Sequence, residues 1–265
     1  MKKIFRFLSL SKRQRFVISV ILLSTGVFIS EFFHGPILLI IALVLSLLTV
    51  FFLFISIKDD IKDTFHYPIF ILPFFFTLSF VLFYPLLPAR LLTRLITTFF
   101  YAFGLYSLFL TQNIFAISVL RTINLMRSAR IVSFVLTIIA LFFLCNVIFS
   151  LRLPVYILPF IIFIISILLN FQTLWIYSLD KKFIPEALFL SGLISVAIAQ
   201  LSIVLNLWPI NAAIYSIFIT GIFYAYSGLT HAWVEKRLFK GVLWEYIWVG
   251  FLAVIILMFF TKWGS

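Results

Sequence analysis

Long apolar runs, interrupted by short polar or basic segments, set the pattern of this chain. A helix needs about 20 mostly apolar residues to cross a hydrocarbon core, and nine stretches have that length and character. They cover 16–33, 36–57, 68–88, 95–120, 131–151, 154–178, 187–208, 210–230 and 244–261. We therefore predict an all-α, polytopic transmembrane helical bundle. We expect a single transmembrane domain over 16–265, preceded by a basic cytoplasmic segment over 1–15.

The basic residues predict how this bundle is oriented. If the N-terminus is cytoplasmic and the nine spans alternate, sixteen Lys and Arg residues lie on the cytoplasmic side. The opposite side holds only four, namely Arg90, Arg94, Arg152 and Lys262. Such a bias follows the positive-inside rule. It predicts a multi-pass protein of the cell membrane with a cytoplasmic N-terminus and an external C-terminus.

Composition supports the same class and changes how the charge is interpreted. Hydrophobic residues make up 65% of the chain and charged residues 11%, against about 45–50% and about 25% in soluble domains. A net charge of +12 in a soluble protein would suggest a polyanionic partner. Here the basic residues cluster between apolar runs, so we predict the lipid bilayer as partner, with anionic headgroups at the cytoplasmic face. We predict no binding of nucleic acid.

Two proline motifs suggest an internal repeat. Residues 68–74 read PIFILPF and open the third span, and residues 154–160 read PVYILPF and open the sixth. The two spans are three crossings apart, so they would enter from opposite faces, as in an inverted-topology repeat that relates spans 3–5 to spans 6–8. Chance similarity between apolar sequences is the alternative. We also expect each second proline to bend its helix near the entrance, because proline lacks the backbone N–H.

Polar side chains within the spans are the candidates for binding. Gln112 and Asn113 lie in the fourth span, and Gln200 and Asn206 in the seventh. They could line a polar cavity, or they could form interhelical hydrogen bonds worth roughly 0.6 kcal/mol each. The seventh span also carries a stripe of small and polar residues at helical spacing, and we expect this stripe to contact a neighbouring helix. Gln200 projects nearly opposite the stripe, which predicts neighbours on two sides of that helix. The stripe consists of Ser191, Ser195, Ala199, Ser202 and Asn206.

Candidate catalytic groups are few. His231 and Glu235 are four residues apart and share a helical face if the helix continues, and Glu245 is the next acidic residue. Glu31 and His34 form a second acid–histidine pair. The alternative for both pairs is that they are polar residues at the membrane interface without a catalytic role. We predict no metal site and no cofactor, because the chain has no zincin, P-loop, nucleophile-elbow or dinucleotide-binding motif.

Two further features have simple interpretations. The acidic cluster Asp59, Asp60 and Asp63 alternates with lysines, which indicates a solvated loop, with magnesium held against a lipid phosphate as the alternative. Cys145 lies inside an apolar run, which predicts a buried thiol that packs as a small hydrophobe.

None of these motifs indicates a known family. The preferred hypothesis is a non-enzymatic small transporter or a membrane-assembly subunit, with a membrane-protein partner or a homo-oligomer as the assembly. The alternative is a membrane-embedded enzyme that acts on a lipid-borne substrate at the cytoplasmic interface, using His231, Glu235 and Glu245.

Overall fold

A computed structural model describes residues 11–33, 35–58, 67–88, 90–118, 125–178 and 183–261. Within these residues the chain forms helices and turns without a strand, and nine helices are long and apolar enough to span a membrane. The third of these spans, Tyr67–Leu86, consists of an α-helix with a 3₁₀ turn at each end. The prediction of nine spans is confirmed for this part of the chain. The cytoplasmic N-terminus and the single domain over 16–265 stay predictions. The α-helices run α1 Lys12–Ser30, α2 Pro36–Ile57, α3 Ile71–Phe83, α4 Leu91–Ser118, α5 Met126–Ser150, α6 Ile157–Ser178, α7 Ile184–Asn206, α8 Ala212–Val234 and α9 Lys240–Phe260.

Several helices begin before the apolar run that predicted them. α1 starts at Lys12 rather than at residue 16, because Ser11 and Gln14 form a capping box: the Gln14 N–H donates to Ser11 Oγ and the Ser11 N–H donates to Gln14 Oε1. Such a cap satisfies two backbone donors at the helix start. Residues 12–15 of the predicted basic segment are therefore helical. Apolar length marks the hydrocarbon crossing, whereas the cap decides where the helix begins.

Each proline motif lies at the start of its helix, as the sequence predicts. Pro73 is the third residue of α3, which follows a 3₁₀ turn over Tyr67–Phe70, and Pro159 is the third residue of α6. In the first turn of a helix the backbone N–H groups have no intrahelical acceptor. Pro73 nevertheless follows the 3₁₀ turn without a break, and the bend predicted at each second proline stays a prediction. The inverted repeat itself stays a prediction.

The chain divides into two compact units, Met1–Leu136 and Thr137–Ser265. In the first unit, α1 contacts α2 and α4, and α3 contacts the same two helices. Hydroxyl groups join three of them inside the core: Thr49 Oγ1 of α2 lies 2.9 Å from Thr77 Oγ1 of α3, which lies 3.0 Å from the Tyr101 hydroxyl of α4. All three side chains are fully buried. We call this set the hydroxyl triad.

A buried arginine links α1 to the end of α2 in the first unit. Arg15 of α1 is only 4% exposed, and its Nη1 donates to the carbonyl oxygen of Ile55 at 3.2 Å. Ile55 lies in the last turn of α2, where carbonyl groups have no intrahelical donor. The sequence assigned Arg15 to a basic segment at the membrane face, and the contact with α2 gives it a structural role as well.

In the second unit, α6 packs along α7 and α8, and α9 packs along α8. The small-residue stripe of α7 is buried at Ser191, Ser195 and Ser202, and the Ser202 hydroxyl lies 2.7 Å from the Tyr215 hydroxyl of α8. The predicted burial of the stripe is confirmed. α7 has two helix neighbours, α6 and α8, but the neighbour expected on the Gln200 side is wrong, because Gln200 is exposed. Small residues on one face of α7 already satisfy its contacts with α6 and α8.

Cys145 of α5 is free and fully buried, which confirms the prediction of a buried thiol. Its surroundings include Tyr215 of α8, which also stacks on Phe149 of α5 at 4.3 Å between ring centroids. The cysteine therefore packs within an aromatic part of the second unit.

Candidate functional site

Polar side chains follow the facing sides of α6 and α8 in the second unit. The hydroxyl of Ser227 on α8 donates to Oδ1 of Asn170 on α6, and one to two turns further on the ring of Tyr177 stacks on His231 at 4.2 Å. α6 and α8 are two crossings apart and run in the same direction. The residue numbers of the two contacts therefore increase together along both helices. Further hydroxyl residues share these faces by helical register. We call the set the polar seam: Ser166, Asn170, Thr173, Tyr177, Thr220, Ser227 and His231.

The polar seam is long and excluded from lipid. Ser166 to Tyr177 spans eleven residue steps, or about 16 Å at 1.5 Å per residue. Asn170 and Ser227 are fully buried, and His231 is 3% exposed. A side chain placed this way has no contact with lipid tails, so its polar atoms depend on other groups of the protein or on a bound molecule.

Several polar atoms of the seam lack such a group. Nδ2 of Asn170, Oγ of Ser166 and Oγ1 of Thr220 have no hydrogen-bond partner within the described part of the chain. Gln172, on the neighbouring face of α6, is 1% exposed and lacks a partner at both amide atoms among the same residues. A buried amide without a partner costs roughly 1–3 kcal/mol on the protein mutational scale. The seam therefore has donors and acceptors that a bound polar molecule would satisfy.

The predicted catalytic residues have separate surroundings. His231 is buried and belongs to the polar seam. Glu235 ends α8, and its Oε2 lies 3.8 Å from Nη1 of Arg237. Glu245 is exposed on α9. Both carboxylates lie near enough to act electrostatically on the Tyr246 hydroxyl, so they share one end of the second unit.

The predicted binding residues do not behave as one group. Gln112 of α4 is fully buried, and neither of its amide atoms has a hydrogen-bond partner among the described residues. Asn113 is partly buried, and its Oδ1 also has no hydrogen-bond partner among these residues. In α7, Gln200 is exposed and Asn206, the last helical residue, is partly buried. All four stay predictions, and Gln112 has the surroundings that most resemble those of Asn170.

A second polar cluster lies at the end of α1 in the first unit. Glu31, just after the membrane-spanning helix, is 1% exposed, and Thr98 Oγ1 donates to its Oε1 at 3.4 Å. Arg94 donates from Nε to the Tyr84 hydroxyl at 2.8 Å, and its guanidinium carbon lies 4.3 Å from the centre of the Phe32 ring. Burial raises the pKa of Glu31 to about 7, with Thr98 and Arg94 acting in the opposite direction.

Across the described ranges, no group of three or more His, Cys, Asp or Glu side chains could hold a metal ion. Asp59, Asp60, Asp63 and His34 lie outside those ranges. The predictions made for these four residues are not tested by the structure.

The sequence analysis did not predict the polar seam, although the spacing of its residues along α6 and α8 is visible in the sequence. Ser166, Asn170, Thr173 and Tyr177 recur every three or four residues, which places them on one helical face. Ser227 and His231 repeat the spacing in α8. What the spacing did not give is that these two faces meet, because that depends on how the helices pack.

Comparison with known proteins assigns a family without an activity. Residues 37–260, which include eight of the nine helices, match DUF5656, a family described as proteins of unknown function. The chain belongs to the DUF5656 family. No curated protein and no solved structure matches it. The family assignment therefore names no activity, and the specific function has to be argued from the site.

Proposed function

We propose that this membrane protein is a small, non-enzymatic transporter of uncharged polar solutes, with the polar seam as its binding path. The observation that carries the proposal is Asn170. Its side chain is fully buried between α6 and α8, with Oδ1 bound to Ser227 and Nδ2 without a partner among the described residues. A solute with a carbonyl or hydroxyl oxygen would accept the free N–H of this amide.

The chemistry of the seam favours a neutral solute. Its groups are hydroxyls, an amide and one imidazole, and it has no carboxylate, lysine or arginine. A charged molecule in this environment would have no ionic partner to offset its desolvation, which is costly in hydrocarbon surroundings. Uncharged solutes with several hydrogen-bonding groups match the seam best.

Gln112, in the first unit, is a second buried amide without a partner among the described residues and stays a separate binding candidate. The proposal also keeps the predicted topology, with the N-terminus in the cytoplasm and the protein in the cell membrane. The enzyme alternative has less support, because the His231 imidazole is buried under Tyr177 and the Glu235 carboxylate lies beside Arg237.

Osmotic swelling of proteoliposomes tests the transporter directly. Purified protein is reconstituted, and light scattering after mixing with urea, acetamide or glycerol reports entry of each solute. We expect severalfold faster swelling than in protein-free liposomes for at least one solute, and a return to the protein-free rate for Asn170→Leu. Thr230→Val is the matched control, because Thr230 lies on α8 and bonds only to its own helix at the Tyr226 carbonyl in the contacts described.

Two results would contradict the proposal. One is the absence of any acceleration by the wild-type protein, and the other is equal acceleration by wild type and Asn170→Leu. If swelling stays at the protein-free rate while the protein purifies with another membrane protein, the assembly-subunit hypothesis replaces the transporter.

A further inference from the structure

A groove of about 290 Å³ lies at one end of the second unit, and none of its lining residues belongs to the polar seam. It is lined by Phe183, Glu186, Trp233, Val234 and Lys236. Phe183 and Glu186 belong to the start of α7, and the other three belong to the end of α8. We call it the interfacial groove.

The position of the groove places it at the membrane boundary. α7 and α8 are consecutive spans, so the start of one and the end of the next lie on the same side of the membrane. Headgroups occupy this depth, and tryptophan is enriched there because one edge of its ring is polar. Trp233 is 57% exposed in the groove. The molecule that naturally reaches this surface is a phospholipid.

The charges of the groove discriminate between headgroups. Glu186 and Lys236 are both exposed and have opposite charges. Within the described residues Glu186 is in no ion pair. A phosphate would pair with Lys236, and an ammonium group would pair with Glu186 and lie against the face of Trp233, as cations do on indole rings. An anionic headgroup without an ammonium group would gain from Lys236 and be repelled by Glu186.

We propose that the interfacial groove binds a phospholipid whose headgroup carries a primary ammonium group, such as phosphatidylethanolamine. The site is independent of the proposed transport of solutes. A primary ammonium donates hydrogen bonds to a carboxylate, whereas a quaternary one cannot. The groove therefore prefers phosphatidylethanolamine to phosphatidylcholine.

The backbone of Lys236 agrees with a role for its side chain. Lys236 follows the end of α8 with φ at +56°, while the Arg237 N–H donates to the Ala232 carbonyl at 2.8 Å. Glycine is the residue that helix ends favour in this left-handed conformation. Arg152, after α5, has a φ of +47° and supplies a comparison, because it does not line the groove.

Native mass spectrometry of the delipidated full chain with equimolar phosphatidylethanolamine, phosphatidylcholine and phosphatidylglycerol measures the preference. For wild type we expect about fivefold to tenfold more bound phosphatidylethanolamine than phosphatidylcholine, the ratio for one charge-assisted hydrogen bond. Glu186→Gln should abolish this ratio while leaving phosphatidylglycerol binding equal or higher. Lys236→Gly should weaken both phosphatidylethanolamine and phosphatidylglycerol binding and raise the unfolding temperature, because glycine relieves the left-handed strain.

The matched controls separate binding from folding. Trp233→Leu should lower the binding of phosphatidylethanolamine, because it removes the ring face for the ammonium group, whereas Trp244→Leu, at a tryptophan of equal 57% exposure outside the groove, should not. Arg152→Gly relieves the same kind of strain and should leave lipid binding unchanged. Equal binding of the three lipids by wild type, or a preference that survives Glu186→Gln, would overturn the proposal, as would equal losses in the two tryptophan variants.

Discussion

The hydroxyl triad of the first unit and the polar seam of the second unit use buried polar groups in opposite ways. In the triad, Thr49, Thr77 and Tyr101 form a short chain in which each hydroxyl has a partner on another helix. In the seam, Asn170 bonds to Ser227 through one amide atom and leaves the other without a partner among the described residues. Polar groups that satisfy each other hold helices together, whereas groups left over mark a place for another molecule.

The largest effect should come from the centre of the triad. Thr77→Val leaves the Tyr101 hydroxyl buried without the partner that the structure gives it, and an unsatisfied buried group costs about 1–3 kcal/mol. Unfolding in mixed micelles measures the loss. Thr25→Val is the control, because exposed Thr25 bonds only to its own helix at the Leu22 carbonyl in the contacts described. Equal losses for the two variants would show that the triad contributes nothing specific.

Close packing around the triad should give the next effect. A methyl group added at Gly104 of α4 would lie 2.5 Å from Cζ of Phe76, whose ring stacks on Tyr101. We expect Gly104→Ala to cost about 1 kcal/mol, at the lower end for overpacking because a ring can shift. At Gly192 of the second unit, an added methyl group would lie 4.0 Å from Cδ1 of Ile167, an ordinary van der Waals contact, so Gly192→Ala should be neutral. The same unfolding assay compares them.

Glu31 extends the comparison to a buried group that changes charge. Burial raises the pKa of Glu31 from an ordinary 4.5 to about 7, so the folded protein retains a proton that the unfolded chain releases. Between these two pH values, stability should fall as pH rises, and above pH 7 the contribution of Glu31 should be constant.

Glu31→Gln should flatten this part of the stability profile and raise stability above pH 7. Unfolding temperature measured from pH 4.5 to 8 provides the check. Thr25→Val, in the helix that precedes Glu31, changes no titratable group and is the control, so it should keep the wild-type dependence on pH. A profile that is identical in wild type and Glu31→Gln would contradict the assignment.

The smallest effect on stability should come from the seam itself. Asn170→Leu removes one hydrogen bond, worth roughly 0.6 kcal/mol on average between membrane helices, and also removes an unsatisfied N–H group. The buried Ser227 hydroxyl loses its Asn170 partner but, unlike the Tyr101 hydroxyl, can turn to a carbonyl of its own helix. These changes oppose each other, so we expect a net change within about 0.5 kcal/mol. A loss as large as that of Thr77→Val would show that Asn170 is structural, and it would remove the contrast between triad and seam.

The sequence by itself determined the class of fold and the nine spans that the described part of the chain contains. In a bilayer each backbone polar group needs a partner within its own helix, so a local run of apolar residues is enough to locate a span. The same local reasoning predicted that Ser191, Ser195 and Ser202 lie on one buried face. It failed for the helix expected beside Gln200 of α7, because one polar residue on a helical face does not reveal what covers that face.

Only the tertiary structure decided which polar groups meet. Asn170 and Ser227 are 57 residues apart, and Arg15 and Ile55 are 40 apart. These pairings depend on which helices are neighbours and how far one is shifted along the other, and neither quantity is contained in the periodicity of a single helix. Gln112 and Gln200 were equivalent candidates as amides within spans, yet one is fully buried and the other exposed. The spans could be predicted from local sequence because the backbone forms its hydrogen bonds within each helix. The site could not, because its side chains form their contacts between helices.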